Sequence, residues 1–203
     1  MAGHFEATPG GGAAVALDEV EISILRSLAV QLLELIGPGD TPADGEDPLA
    51  ALFAEGPSKP PSDPALARLF PDAYGGPDGP APEGRSEEEL RELSAEFRRF
   101  TENDLRSRKR EDALAVVRTL DALSPAAGGA AVLTLTADEC RSWLGSLNDL
   151  RLTIGTRLDV SDEDEGEDGS LYRLPDSDPR KPMVMAYLWL GALQETLVET
   201  LMP

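Results

Sequence analysis

The sequence is poor in the residues that build catalytic and metal sites. Its 203 residues include one histidine, His4, and one cysteine, Cys140. The chain therefore has almost no residues for histidine-based catalysis or metal binding, and it cannot form an intrachain disulfide. The glycines at 10–12 also lack the lysine and the helix start of a phosphate-binding loop. We predict a protein that is not an enzyme and that uses no metal and no cofactor.

Long apolar runs are also missing. The longest uncharged apolar stretch, residues 182–194, is shorter than the roughly 20 residues of a membrane-spanning helix. Residues 1–12 lack the basic start and the apolar core of a signal peptide. A single cysteine is typical of a reducing compartment. We therefore predict a cytoplasmic protein with no membrane association.

Positive charge is scarce over the chain as a whole. The 18 lysines and arginines are outnumbered by 38 aspartates and glutamates, which gives a formal net charge of −20. Such a chain repels the phosphates of DNA and of anionic lipids. We predict that it contacts DNA only indirectly or as part of a complex.

Most of the chain carries apolar residues at the spacing of amphipathic helices. The last segment, residues 183–202, is apolar around most of its circumference, so other helices or a partner must cover it. The longest segment follows Ser86, and a break near Ser107 would divide it into two helices. We predict a mainly α fold, a single helical domain over residues 1–203. Four long helices would pack on the last one, beside a few short strands.

Two parts of the chain share a strand–helix pattern. Residues 14–17 and 131–135 are short apolar segments, and each precedes a capping box, Asp18 with Glu21 and Thr136 with Glu139. The pattern fits an internal duplication of a strand–helix unit. It fits two capped helices that are similar by chance equally well.

Two segments carry little that a core could bury. Residues 37–85 form a Pro/Gly-rich insertion, predicted to be mobile, in which short capped helices follow Asp47 and Asp63. Residues 159–170 form an acidic loop. A calcium-loop register over it fails, because Gly166 and Pro175 fall where oxygen ligands are required. We therefore interpret it as a solvated loop.

One basic cluster stands out in this acidic chain, and it falls within thirteen residues of the longest helical segment. Its members are Arg98, Arg99, Arg106, Arg108, Lys109 and Arg110. Three of them, Arg99, Arg106 and Arg110, share a helix face, which makes the cluster a candidate docking face for an acidic partner or a phosphate backbone. The alternative is that the arginines pair with the glutamates at 87–89 and 92, or with the acidic loop.

Cys140 is the candidate redox residue. It falls in the first turn of a predicted helix, where unpaired amides lower the pKa of a thiol. The neighbouring Asp138 and Glu139 raise that pKa. The alternative is a structural cysteine that packs as a small apolar side chain.

Several segments together carry a family resemblance. They are the start at Leu17 with Glu21, the arginine-rich central helix, LTLTADE at 133–139 and YLWLGALQETL at 187–197. The chain resembles an actinobacterial family of largely uncharacterised proteins that includes the oxidative-stress transcription regulator AosR. The resemblance implies a cytoplasmic, non-enzymatic transcription regulator that contacts a sigma factor or RNA polymerase in redox homeostasis. Because family members tend to be encoded beside an adaptor of the Clp protease, a binding module of that system is the alternative.

One departure from this family concerns oxidant sensing. The resemblance implies a sensing pair of N-terminal cysteines, yet residues 1–12 contain none and Cys140 has no second cysteine to pair with. No sensing residue can be carried over. The protein either regulates without that switch, senses through an intermolecular Cys140 disulfide in a homodimer, or has another role.

Overall fold

The computed structural model describes residues 3–38, 55–74, 84–123, 129–161 and 173–202. Within these ranges the chain forms a small sheet and five helices, which confirms the predicted mainly α fold. The strands are β1 (Glu6–Thr8), β2 (Gly12–Leu17) and β3 (Ala131–Leu135). The helices are α1 (Glu19–Ile36), α2 (Pro64–Leu69), α3 (Glu87–Asp121), α4 (Ala137–Leu158) and α5 (Lys181–Leu201).

The sheet joins the two predicted strand–helix units. Its strands run antiparallel in the order β1-β2-β3, and Ala13 pairs with Leu135 while Leu17 pairs with Ala131. Gly10 and Gly11 adopt positive φ angles of 107° and 82° in the turn between β1 and β2, a conformation that favours glycine. The inner face of the sheet packs on helices α4 and α5.

Helix α4, not the C-terminal helix, is the centre of the fold. It contacts each of the other four helices as well as β2 and β3. Trp143 of α4 is fully buried, donates from its indole N–H to Thr119 Oγ1 at 2.9 Å and meets the Phe5 ring edge-on. On α5, Met183 and Met185 are exposed. The prediction that the helices pack around α5 is therefore wrong: among the described elements, α5 mainly contacts α4, β1 and β2.

Helix α3 runs without interruption over 35 residues. The predicted break near Ser107 is wrong. No proline or glycine lies between Glu87 and Asp121, so the segment contains no strong helix breaker. The ion pair of Glu102 with Arg106, one helical turn apart, also supports the helix next to Ser107.

The remaining predictions about elements divide between described and undescribed residues. The helix after Asp63 is confirmed as α2, and Asp63 accepts from the backbone amides of Ala65 and Leu66. The helix predicted after Asp47, residues 75–83 of the insertion predicted to be mobile, and residues 162–170 of the predicted acidic loop lie outside the described residues. None of the described helices combines the length and apolar character that crossing a membrane requires.

Candidate functional site

Arg98 of the predicted docking cluster lies inside the protein. Its side chain is 4% exposed, and its guanidinium pairs with Glu102, with Asp72 at 2.9 Å and with the Phe70 carbonyl at 3.0 Å. Burial lowers the pKa of Arg98, but the hydrogen bonds to Asp72 and Glu102 outweigh it and hold the pKa above its ordinary value. Arg98 thus ties α3 to the segment that follows α2.

Glu102 is the shared acceptor of this network. Its buried carboxylate receives Arg98 on one oxygen, and on the other it receives Arg106 Nε at 2.9 Å and Nη2 at 2.7 Å. Arg106 also lies over the Phe70 ring, with its guanidinium carbon 4.3 Å from the ring centroid. Through these contacts, the polar stretch of α3 that contains Arg98, Glu102 and Arg106 faces the interior of the protein.

The C-terminus of α1 receives two arginines from α3. Arg106 donates to the Ile36 carbonyl at 2.7 Å, and Arg110 donates to the Gly37 carbonyl and to the Leu33 carbonyl, the latter at 3.3 Å. Helix α1 has no basic residue in its own last turn. Because the last carbonyls of a helix have no partner within it and carry partial negative charge, α3 supplies the cations that α1 lacks.

A second buried ion pair joins α3 to α4. Lys109 donates to Asp149 at 2.6 Å, and the Asp149 side chain is 3% exposed. Burial raises the pKa of Asp149, and the hydrogen bond from Lys109 offsets only part of that rise. The pair lines a cleft of about 330 Å³ that also holds Asp112, whose pKa burial raises as well. The cleft lacks a histidine or cysteine that could act as base or nucleophile beside these acids.

Arg99 and Arg108 are the more accessible members of the cluster. Arg99 pairs with Glu55 and keeps 39% of its side chain exposed, and Arg108 is exposed. The structure thus places Arg98, Arg106, Lys109 and Arg110 on acceptors of this chain. These acceptors differ from the predicted glutamates near 87–92. Glu102 could have been found from the sequence, because it lies four residues from both Arg98 and Arg106.

An apolar stripe on the outer side of α3 was not predicted as a surface. Its residues are Leu93, Phe97 and Phe100, and Phe97 is 49% exposed and Phe100 66% exposed. The Tyr74 ring meets Phe97 edge-on with centroids 6.3 Å apart. Phe97 and Phe100 lie on the outer side because charged residues 98, 102, 106 and 109 face the interior of the protein.

Cys140, the candidate redox residue, is fully buried in the core beside the sheet. Burial raises the pKa of its thiol, and Glu139 adds to the rise against a hydrogen bond with the Ala13 backbone. A thiol held in this way is a poor nucleophile and cannot reach a second protein without local unfolding. Its packing is that of a small apolar side chain.

Cofactor and metal sites have little support among the described residues. No group of three histidine, cysteine, aspartate or glutamate side chains in that part of the chain could hold a metal ion. An apolar groove of about 460 Å³ lies between α1 and α4, lined by Leu32, Leu150 and Ile154. The described surface is therefore mainly that of a helical scaffold with exposed apolar positions.

Fold and surface together define a helical scaffold domain with buried ion pairs and an exposed aromatic stripe. The chain belongs to the DUF2017 family, a domain of unknown function, whose model matches residues 2–201. It is similar to the oxidative stress regulator AosR of Mycobacterium tuberculosis and of Mycobacterium bovis. Each is 31% identical over 184 residues, which cover 90% of this chain and 78% of the relative. No solved structure gives a significant match. The predicted family membership is confirmed.

Proposed function

We propose that this protein is a non-enzymatic, cytoplasmic regulator of the oxidative-stress response that works by contacting a sigma factor or RNA polymerase. The observation that carries the proposal is the similarity to AosR, which is 31% identical and extends over 90% of the chain. Similarity of that extent includes the whole helical scaffold, so the proposal does not depend on one shared motif.

The ionisable side chains of the described residues support a function in protein–protein contact and not in catalysis. Among the described residues, the buried charged side chains Arg98, Glu102 and Asp149 are all occupied in ion pairs. A net charge of −20 also opposes solitary binding to DNA. A regulator of this kind would reach promoters through a protein partner.

We further propose that the folded protein relays a stress signal and does not sense oxidant through Cys140. The thiol is buried in the core and its pKa is raised by that burial. Oxidants react with exposed thiolates, so this cysteine is protected in the native state. Of the three alternatives left by the sequence, regulation without the N-terminal cysteine switch has the most support.

Affinity purification of the tagged protein from its native host, before and after oxidant treatment, tests the proposal. We expect a sigma factor or RNA polymerase subunits to copurify, and deletion of the gene to weaken induction of redox-homeostasis genes. Recovery of Clp adaptor or protease subunits without the transcription machinery would favour the alternative binding module. Unchanged induction in the deletion strain would contradict the regulatory role.

The cation cluster can be tested separately as a docking face. Arg99→Glu and Arg108→Glu reverse accessible charges without disturbing the buried network, whereas Arg106→Glu would place two carboxylates together at Glu102. Loss of copurification with the first two variants would assign the contact to these cations. Retention would leave the aromatic stripe as the better candidate surface.

A further inference from the structure

The aromatic stripe of α3, residues Leu93, Phe97 and Phe100, has the spacing of a helix-recognition surface. These residues lie at positions i, i+4 and i+7, the repeat with which one helix packs along another. Phe97 and Phe100 keep 49% and 66% of their surface exposed, although the chain has only five phenylalanines. Neighbouring exposed aromatics are typical of the centre of a protein–protein contact.

The charges beside the stripe are mainly negative. Glu92, Glu96 and Asp104 are exposed on the same outer side of α3. The nearest cation, Arg99, lies 5.9 Å from the Phe100 ring centroid and is already paired with Glu55. An apolar stripe with acidic flanks selects a partner that carries apolar positions between lysines or arginines.

We infer that the outer face of α3, residues 93–104, is the docking surface for a partner protein helix whose apolar side chains are flanked by basic residues. The inference rests on the proposed function, because it assigns the surface by which the regulator would hold its partner. It moves the contact from the basic cluster, four of whose members are paired with acceptors of this chain, to another side of the same helix.

Charge argues against two other occupants. A second copy of this chain would bring the same acidic flanks and a further net charge of −20 to the surface. Nucleic acid would set its phosphates against Glu92, Glu96 and Asp104, at a cost in repulsion. A basic helix gains from both the apolar centre and the acidic flanks.

Site-specific photocrosslinking in the native host tests the surface. In the test variant, the photoreactive residue p-benzoylphenylalanine replaces Phe100. In the matched control variant it replaces Val20, which lies on α1 and is 63% exposed. We expect an adduct at position 100 that is absent at position 20, with mass spectrometry locating it on a basic amphipathic helix of an identified protein. No adduct at position 100, an equal adduct at position 20, or an adduct to this chain itself would overturn the inference.

The identity of the crosslinked protein separates this inference from the proposed function. An adduct with a sigma factor or polymerase subunit supports both. An adduct with a basic helix of an unrelated protein supports the surface and contradicts the proposed partner. A sigma factor that copurifies but crosslinks nowhere on residues 93–104 supports the partner and overturns the surface.

The affinity of this protein for the identified partner provides a quantitative test. Phe97→Ser with Phe100→Ser should weaken binding at least tenfold, whereas the thermal midpoint should fall only by the loss of the Phe97 contact with Tyr74. Val20→Ser with Ile24→Ser, an exposed pair four residues apart on α1, should leave both quantities unchanged. Binding of wild-type strength in the phenylalanine variant would overturn the inference.

Discussion

Buried charge is the feature that most distinguishes individual residues of this protein. Arg98 and Glu102 are almost completely shielded from water, and they are joined by Asp72, Arg106 and the Phe70 carbonyl. Moving such groups out of water costs several kcal/mol for each ion, so a network of this kind is stable only when nearly every polar group has a partner. Removal of one member therefore leaves a buried charge without compensation.

The first prediction compares two adjacent arginines. Arg98→Ala should lower the free energy of unfolding by about 3–5 kcal/mol, because it leaves Glu102 buried with only Arg106 as a cationic partner. Arg99→Ala removes a largely solvated pair with Glu55 and should lower the free energy of unfolding far less than Arg98→Ala does. Urea denaturation of both variants measures the difference. Equal losses would contradict the structural role assigned to Arg98.

The second prediction concerns pH and Asp149. Burial raises its folded-state pKa above the value of about 3.9 in an unfolded chain. Between these two pKa values the folded state binds more protons, so the free energy of unfolding falls as the pH rises through that window. Asp149→Asn should remove this fall. Urea denaturation between acid and neutral pH measures the slope.

Asp121 is the control for that pH profile. Its hydrogen bond with Arg26 lowers its folded-state pKa, so its contribution is present above the unfolded pKa and is lost as the pH falls. Relative to the wild type, Asp149→Asn should gain stability with rising pH, whereas Asp121→Asn should lose it. Changes of the same sign would contradict the assignment.

At the level of elements, the middle of α3 is unusual because charged side chains face the interior there and aromatic side chains face solvent. Charged residues 98, 102 and 109 face the interior through ion pairs, and phenylalanines 97 and 100 face solvent. The helix also completes α1 by donating to its last carbonyls. Both roles require that α3 continue unbroken through the charged middle.

The third prediction tests that continuity at Ser107. Ser107→Pro would remove a backbone hydrogen bond and clash with the preceding turn, which costs about 3 kcal/mol or more inside a helix. Ser107→Ala should be neutral or stabilise the protein by up to roughly 0.5 kcal/mol. Thermal unfolding and far-UV circular dichroism compare the two. A proline tolerated as well as alanine would place a helix break where the structure has none.

At the level of the whole molecule, negative charge is the dominant property. A net charge of −20 on 203 residues repels itself in the compact state and weakens the fold at low ionic strength. Ion pairs such as Arg26 with Asp121 stabilise the fold, but exposed ion pairs contribute little to the free energy of unfolding. Self-repulsion should therefore dominate the response to salt.

The fourth prediction follows from that balance. Raising sodium chloride from about 0.01 M to 0.3 M shortens the Debye length from about 30 Å to below 10 Å. We expect the thermal midpoint to rise by a few degrees, since about 1 kcal/mol corresponds to roughly 2–4 °C in a chain of this size. Near pH 5, where fewer carboxylates are ionised, the rise should be smaller. A midpoint that falls with salt would show that ion pairs outweigh self-repulsion.

The sequence alone determined the features that depend on neighbouring residues. The mainly α fold, the two strand–helix units and the capping boxes at Asp18, Ser86 and Thr136 follow from side chains within three or four positions of each other. The family was also identified from local segments. Short-range rules were sufficient because helix starts and periodicity are properties of contiguous residues.

Only the tertiary structure decided which side of the middle of α3 is inside. Whether Arg98 or Phe97 faces the core depends on Asp72 and Phe70, which are separated from them by more than twenty residues. The central position of α4 and the burial of Cys140 depend in the same way on contacts between distant elements. A buried arginine and a docking arginine have the same local pattern, because the partner that satisfies the charge is distant in the sequence and close only in the fold.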